Sequence, residues 1–319
     1  GPVGRVLTTV GPCRCLRGDL PGCLDHPEDL GHVDAALDLA GSGVIRELVE
    51  LTGDARASDG IGAAAARRLV DDGHQVVVVG RSADKTKAVA DKLGVHHFVA
   101  DFADLHQVRT LAAQLADHCP HIDVLANNAG AILGERHVTA DGFEETFQVN
   151  YLAPFLLTNL LIDTLLASQA IVVQTSSNAA RLSARIDLAD LDNARTYSPV
   201  RAYGNAKLEL VLFTRELHDR YHEQGLSAVA FHPGGVPSNF ARTSRSPVGS
   251  LFRTPVPRLF FQSPQKAAPQ LLRFVTPTPE DSVVSGAYYE NGKPRTIKAP
   301  PVGPQLWEAT AALLDLDKR

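Results

Sequence analysis

From about residue 61 onward, short apolar runs alternate with stretches in which apolar residues recur every three or four positions. Residues 61–72 are alanine-rich with helical spacing, and Val76-Val77-Val78-Val79 follows as a β-branched run too short for a helix. That run predicts a strand buried on both faces. A polar helix over 83–93, a strand over 96–100, a helix over 105–118 and a strand over 122–126 continue the alternation. A long helix is expected over 142–166, bent or divided by Pro154, which removes a helical N–H. A buried strand over 170–175, a helix over 202–222 and a strand over 226–231 complete the series. Strands alternating with helices imply a mainly parallel sheet, and its connections are right-handed almost without exception. The expected fold class is therefore α/β: a doubly wound, Rossmann-like parallel sheet in three α/β/α layers, forming a single domain.

Two regions fall outside this regularity. Residues 1–43 carry Pro, Gly, Cys and scattered acids with weak periodicity, and are expected to be an extension preceding a domain at 44–319. Residues 237–264 are rich in Ser, Arg and Pro, with Phe240, Phe252, Phe260 and Phe261 between them. So long a loop inside a compact domain suggests a substrate-binding segment or lid, with a solvated excursion as the other reading.

Composition narrows the function classes. The 319 residues are 44% hydrophobic and 21% charged, with a formal net charge of -5. Nucleic-acid binding would ordinarily need a clustered basic surface, so no nucleic-acid partner is expected. A membrane span needs about 20 predominantly apolar residues. The nearest candidate, 151–173, is interrupted by Thr158, Asn159, Asp163, Thr164 and Gln169, and no span is expected. No basic region leads into an apolar core near the start, so the expected location is cytoplasmic. The chain contains no methionine and opens on Gly1-Pro2, so its first residues are expected to be processed or non-native. Cys13, Cys15 and Cys23, with His26 and His32 nearby, match no closed four-ligand spacing, and no metal site is assigned.

The chemistry gathers where strands end. Gly60-Ile61-Gly62 stands immediately before the first alanine-rich helix, with Gly53 and Ser58 in the turn leading to it. Backbone N–H groups and the helix dipole can hold a pyrophosphate there. After the second strand comes Gly80-Arg81-Ser82, with Lys85 close behind, where NAD-binding versions of this architecture carry an acid. A guanidinium suits a 2′-phosphate, which favours NADP over NAD. Tyr203 and Lys207, at i and i+4, share a helix face, and a nearby ammonium lowers a phenol's pKa, suiting the pair to general acid/base work. Asn127-Asn128-Ala129-Gly130, Thr175-Ser176-Ser177 and His232-Pro233-Gly234-Gly235 each follow a strand at the same sheet edge.

Together these motifs resemble the short-chain dehydrogenase/reductase superfamily, particularly its retinol-dehydrogenase-like and protochlorophyllide-reductase-like branch. The likeness runs from about Gly60 to the C-terminus, taking in Tyr203-Gly204-Asn205-Ala206-Lys207, Gly286-Ala287-Tyr288-Tyr289 and Leu306-Trp307-Glu308. It implies an enzyme interconverting an alcohol and a carbonyl by hydride transfer, in which the cofactor carries the hydride. By the same resemblance Tyr203 is the acid/base, Lys207 holds the nicotinamide ribose and lowers the Tyr203 pKa, and Ser177 rather than Ser176 binds the substrate oxygen. Asn150 holds a water of the proton relay, Asp101 contacts adenine, Phe102 belongs to the cofactor-binding set, and Asn127, Asn128, Ala129 and Gly130 line the cofactor cleft. Pro233, Gly234 and Val236 complete the cofactor set.

The chain also departs from the family. Six residues separate Gly53 from Gly60, more than the usual motif has. The segment 44–51 carries Arg46, Glu47 and Glu50 where a central strand should be apolar, and so does not read as the family's ordinary first strand. If that strand is lost, the sheet loses a central member. A non-catalytic dinucleotide-binding or interaction protein is therefore the alternative, as is the product of a mis-started gene. The aromatic residues of 237–264 suggest an apolar small-molecule substrate. A homo-oligomer stays open, since relatives pair through their long helices.

Overall fold

The computed structural model describes residues 48–51 as backbone, and 60–234, 264–277 and 283–316 in full apart from the Pro264 side chain. All of these belong to one compact unit, Ala35–Arg319. The extension 1–43, the loop 237–264 up to its last residue, and the site candidates Gly53, Ser58 and Val236 lie outside the described residues.

The sheet is built from β1 (Leu48–Leu51), β2 (Val76–Gly80), β3 (His96–Val99), β4 (Val124–Asn127), β5 (Ile171–Thr175), β6 (Ser227–His232), β7 (Tyr288–Glu290) and β8 (Lys293–Pro294). Its order is β3-β2-β1-β4-β5-β6-β7-β8, parallel except where β8 turns back on β7. The doubts over a first strand at 44–51 are corrected here. Leu48 aligns with Val76 on one side and Val124 on the other, so β1 sits between β2 and β4 at the middle of the sheet. The gap between two parallel strands requires a hydrogen-bonded backbone whichever residues supply it, and Glu50 pairs in register with Val78 and Ala126.

Helices cover both faces. On one side lie α1 (Ile61–Asp71), α2 (Ala83–Leu93) and α9 (Pro264–Val275), whose apolar residues pack with Val76, Val78, Ala126, Ile171 and Val173. On the other lie α3 (Leu105–His118), α5 (Ala153–Leu160), α8 (Pro199–Tyr221) and α10 (Gly303–Leu313), against Val77, Leu125 and Val172. α2 stops where Gly94 takes a left-handed conformation, φ 69°, which costs glycine little. The side chain of Asp104 caps α3 by accepting from the backbone N–H groups of His106 and Gln107. Trp307 of α10 packs against Phe155 and Phe213, and the Arg220 guanidinium lies 4.4 Å from its ring. No helix among the described residues is long and apolar enough to cross a membrane.

The expected long helix over 142–166 is divided, and not simply at Pro154. It runs as α4 (Glu145–Phe147), a π-helical turn over Gln148–Leu152, α5, and α6 (Ile162–Ala167). Pro154 follows the widened turn at once, and within that turn the Ala153 N–H reaches back five residues to the Gln148 carbonyl. Asn150 sits inside the turn.

α7 (Ala179–Leu182) crosses α8 at Gly204, and contact there is backbone-close. A Cβ on Gly204 would stand 3.0 Å from the Ala179 carbonyl oxygen, 3.1 Å from the Ala184 nitrogen and inside the Ser183 hydroxyl. Gly204→Ala is accordingly expected to destabilise the chain by about 1–3 kcal/mol in chemical denaturation. An unchanged midpoint would show that α7 can give way.

Candidate active site

The sheet order reverses between β1 and β4, and ligands of doubly wound sheets bind outside the strand ends at such a point. β4, β5 and β6 deliver Asn128–Gly130, Ser176–Ser177 and Pro233–Gly234 to that edge, while α8 crosses it with Tyr203 and Lys207.

Lys207 is 2% exposed, and its Nζ donates to the Thr175 carbonyl at 2.9 Å. Burial drags its pKa from 10.5 down to about 7, because the charged ammonium is the form that loses its water. Its Nζ lies 5.6 Å from the centroid of the Tyr203 ring. A Cβ on Gly130 would stand 2.7 Å from Asn150 Oδ1 and 2.9 Å from Lys207 Nζ, so this glycine lets the two side chains converge. Asn150 spends its side chain on local structure. Nδ2 donates to the carbonyls of Thr146 (2.8 Å) and Ala131 (2.9 Å), and Oδ1 accepts from the Ala131 N–H (3.1 Å). It therefore ties the π-helical turn to the loop after β4.

Tyr203 is 5% exposed. Burial pushes its phenol well above the ordinary range, and hydrogen bonding with Ser177 offsets only part of this. The lowering by Lys207 expected from spacing is thus not what the structure shows, since the ammonium is turned to the Thr175 carbonyl and burial dominates. The two serines separate cleanly. Ser176 is buried and its Oγ donates to the Lys207 carbonyl at 2.8 Å, whereas Ser177 bonds with Tyr203 and accepts from the Ala179 N–H at 3.2 Å.

Along the rest of the edge, Gly60 caps α1 with an extended backbone and no side-chain hydrogen bond, and no acid stands in the first turn with Ile61 and Gly62. Those amides suit an anion. Arg81 follows β2 and Asp101 follows β3, and the Ala100 N–H bonds to the Gly80 carbonyl, so the two sit at the ends of neighbouring strands. Asp101 Oδ1 accepts from the Ala103 N–H. Phe102 belongs to the core, and its carbonyl accepts from Gln148. Asn127 is also turned inward, donating to the Thr158 hydroxyl, so its side chain does not line the cleft as the sequence suggested. Asn128 accepts from the Thr175 hydroxyl at 2.9 Å, Ala129 is buried beside it, and Gly234 follows Pro233 with φ +86°. These features fit a dinucleotide: an uncapped helix start, a cation after β2 and a Cβ-free approach at Gly130.

Sequence reasoning missed a second polar cluster. His232 on β6 aligns with Glu290 on β7, and Glu290 Oε1 accepts from the Tyr288 hydroxyl at 3.0 Å, with Arg181 Nε of α7 at 3.6 Å. The residues come from separate elements: the pairing of β6 with β7 sets His232 beside Glu290, and α7 brings Arg181 to it. The motifs that contain His232 and Tyr288 do not mark them as one cluster with Arg181 and Glu290.

Comparison with known proteins agrees with this geometry. The sequence profile of the short chain dehydrogenase family matches residues 49–248, which extends the likeness back from Gly60 into β1. A Streptomyces protein named as a daunorubicin C-13 ketoreductase is 36% identical over 267 residues, covering 80% of this chain and 89% of that one. Human retinol dehydrogenase 13 is 34% identical, covering 82% of this chain and 83% of its own. The crystal structure of a Mycobacterium paratuberculosis protein superposes with a TM-score of 0.66 at 28% identity, over 88% of this chain and 98% of that one.

Proposed function

The chain belongs to the short-chain dehydrogenase/reductase family, in its retinol-dehydrogenase-like branch, and is thereby an NAD(P)-dependent oxidoreductase; from that premise we propose that it interconverts an alcohol and a carbonyl with NADP as cofactor and Tyr203 as acid/base. The observation that carries the reading is the convergence of a buried Lys207, Asn150 and Gly130 beside a Tyr203 that bonds with Ser177. A structural lysine would seldom be kept 2% exposed with one carbonyl partner.

When bound, the nicotinamide supplies or accepts the hydride. In the reductive direction, Ser177 Oγ and the Tyr203 hydroxyl both donate hydrogen bonds to the substrate oxygen and polarise the carbonyl. Tyr203 then gives up its phenolic proton to that oxygen. Burial keeps the phenol protonated before the reaction, and positive charge beside it in the loaded cleft is what would bring its pKa back toward the working range for proton transfer. Lys207 would hold the ribose hydroxyls of a bound cofactor and supply positive charge to the phenolate left behind, while Asn150 keeps the π-helical turn and the loop after β4 in register beside it. The low dielectric around these groups strengthens each interaction.

Arg81, at the end of β2, is assigned to the 2′-phosphate of NADP, with Gly60–Gly62 to the pyrophosphate and Asp101 to the adenine end. Arg81→Asp is expected to weaken NADPH binding by about a hundredfold, from loss of a charge-assisted pair and gain of a repulsive carboxylate. NADH affinity should hold or improve. Titration of both cofactors checks this, and equal effects on the two would remove Arg81 from the assignment.

A further inference from the structure

The acid/base set leaves the polar cluster at β6, β7 and α7 without a duty. Ala230 and Tyr288 are register partners that pack with Ala180, Leu208 and Val211 of α7 and α8. His232 and Glu290, two residues further on, share that face of the sheet, the one crossed by the helix of Tyr203. Arg181 stands four residues after Ser177. The Tyr288 phenol lies near enough to Tyr203 for charge on one to be felt by the other.

The bonding inside the cluster is incomplete. Glu290 is 14% exposed and anchored by the Tyr288 hydroxyl, but Arg181 is 49% exposed and approaches it only to 3.6 Å. Buried His232 Nδ1 has no hydrogen-bond partner among the described residues. Leaving a buried imidazole nitrogen unsatisfied costs free energy that an aliphatic side chain would avoid. A guanidinium with donors to spare and an imidazole nitrogen together suit a group that both accepts and donates. The charges of Arg181 and Glu290 offset each other, so a neutral group fits better than a carboxylate.

We propose that Arg181, Glu290 and His232 form a subsite for a second, neutral oxygen on the substrate, and that the substrate is a ketone or alcohol bearing a hydroxyl close to the reacting carbon. Arg181 and His232 bind that hydroxyl, while Glu290, held by Tyr288, positions the guanidinium. The proposal rests on the alcohol/carbonyl reading above and divides its substrates into two kinds, plain hydrocarbon carbonyls and hydroxylated ones.

The test compares 2-hydroxyacetophenone with acetophenone on the full chain. Two quantities are measured: kcat/KM with NADPH, and the dissociation constant of each ketone from the NADPH-loaded Tyr203→Phe variant. The hydroxyketone should be preferred about tenfold or more in both, the worth of a hydrogen bond to a charged group. Arg181→Ala and His232→Phe should each bring the ratio close to one. Lys87→Ala, at an exposed pair with Asp91 on α2, should leave the ratio unaltered. Equal treatment of the two ketones by the parent chain, or a preference that survives both substitutions, overturns the subsite. If the Tyr203→Phe variant prefers the hydroxyketone but the parent chain turns over neither, the subsite stands and the reaction assignment fails.

Discussion

Tyr203→Phe is expected to lower kcat by about a hundredfold to ten-thousandfold, the usual contribution of a positioned acid/base, while NADPH affinity changes by less than about threefold. The substitution removes one oxygen from a ring that is already 5% exposed, so the surrounding packing is kept. What is lost is the group that bonds with Ser177 and to which the proposed proton transfer is assigned. Single-turnover oxidation of NADPH with a ketone that the parent chain reduces is the appropriate measurement. A variant that retains turnover within a few-fold of the parent would move the acid/base role away from Tyr203. Loss of turnover accompanied by equal loss of NADPH binding would count against it too, by pointing to collapse of the cleft.

Lys207→Met should have two opposite effects, abolishing turnover and stabilising the fold. The Lys207 pKa is depressed in the folded chain to about 7, against 10.5 for an ordinary lysine. Between those values the unfolded chain binds the proton that the folded chain sheds, so stability rises with pH across this window. Below about pH 7 both states are protonated, and the full penalty of burying the ammonium falls on the folded state. That penalty is of the order of a few kcal/mol. Methionine matches the stem, carries no charge, and forfeits only the bond to the Thr175 carbonyl. Thermal unfolding from pH 6 to pH 10 should therefore show a rising Tm in the parent chain and a flatter, higher profile in Lys207→Met. The same slope in both chains would mean that Lys207 keeps its ordinary pKa.

Much of the fold was legible because its signals are local. The run Val76–Val79, the apolar spacing over α3 and the strand before Ser176 each carry their own periodicity, and the bounds of α2 and α3 match the sequence expectation. The failures lie where tertiary contacts override local pattern. Glu50 argued against a central strand, yet the gap between β2 and β4 holds β1 there. α8 begins at Pro199 rather than Ala202, since proline is well suited to a first helical turn. The division of the helix over 142–166 depends on Asn150 reaching the Ala131 loop, which no helical periodicity encodes.

The site divides along the same line. The meeting of Tyr203, Lys207 and Ser177 at one sheet edge was legible because each belongs to a short motif on a recognisable element. Whether Asn127 or Asn128 faces the cleft depends on the pleat of β4 at its last residue, and there the structure turns Asn127 inward. His232, Arg181 and Glu290 could not be read as one cluster, because the register between β6 and β7 sets His232 beside Glu290 and the position of α7 brings Arg181 to it.

The central claim is that the cleft beside Tyr203 and Lys207 takes NADP for alcohol/carbonyl chemistry. Calorimetric titration of the full chain with NADPH, and separately with NADH, tests it most directly. The account predicts saturable binding of NADPH, with NADH weaker by about tenfold or more for want of the Arg81 contact. Binding of neither cofactor by a folded chain would contradict it, and would instead favour a protein that keeps the fold and the acid/base residues without the reaction.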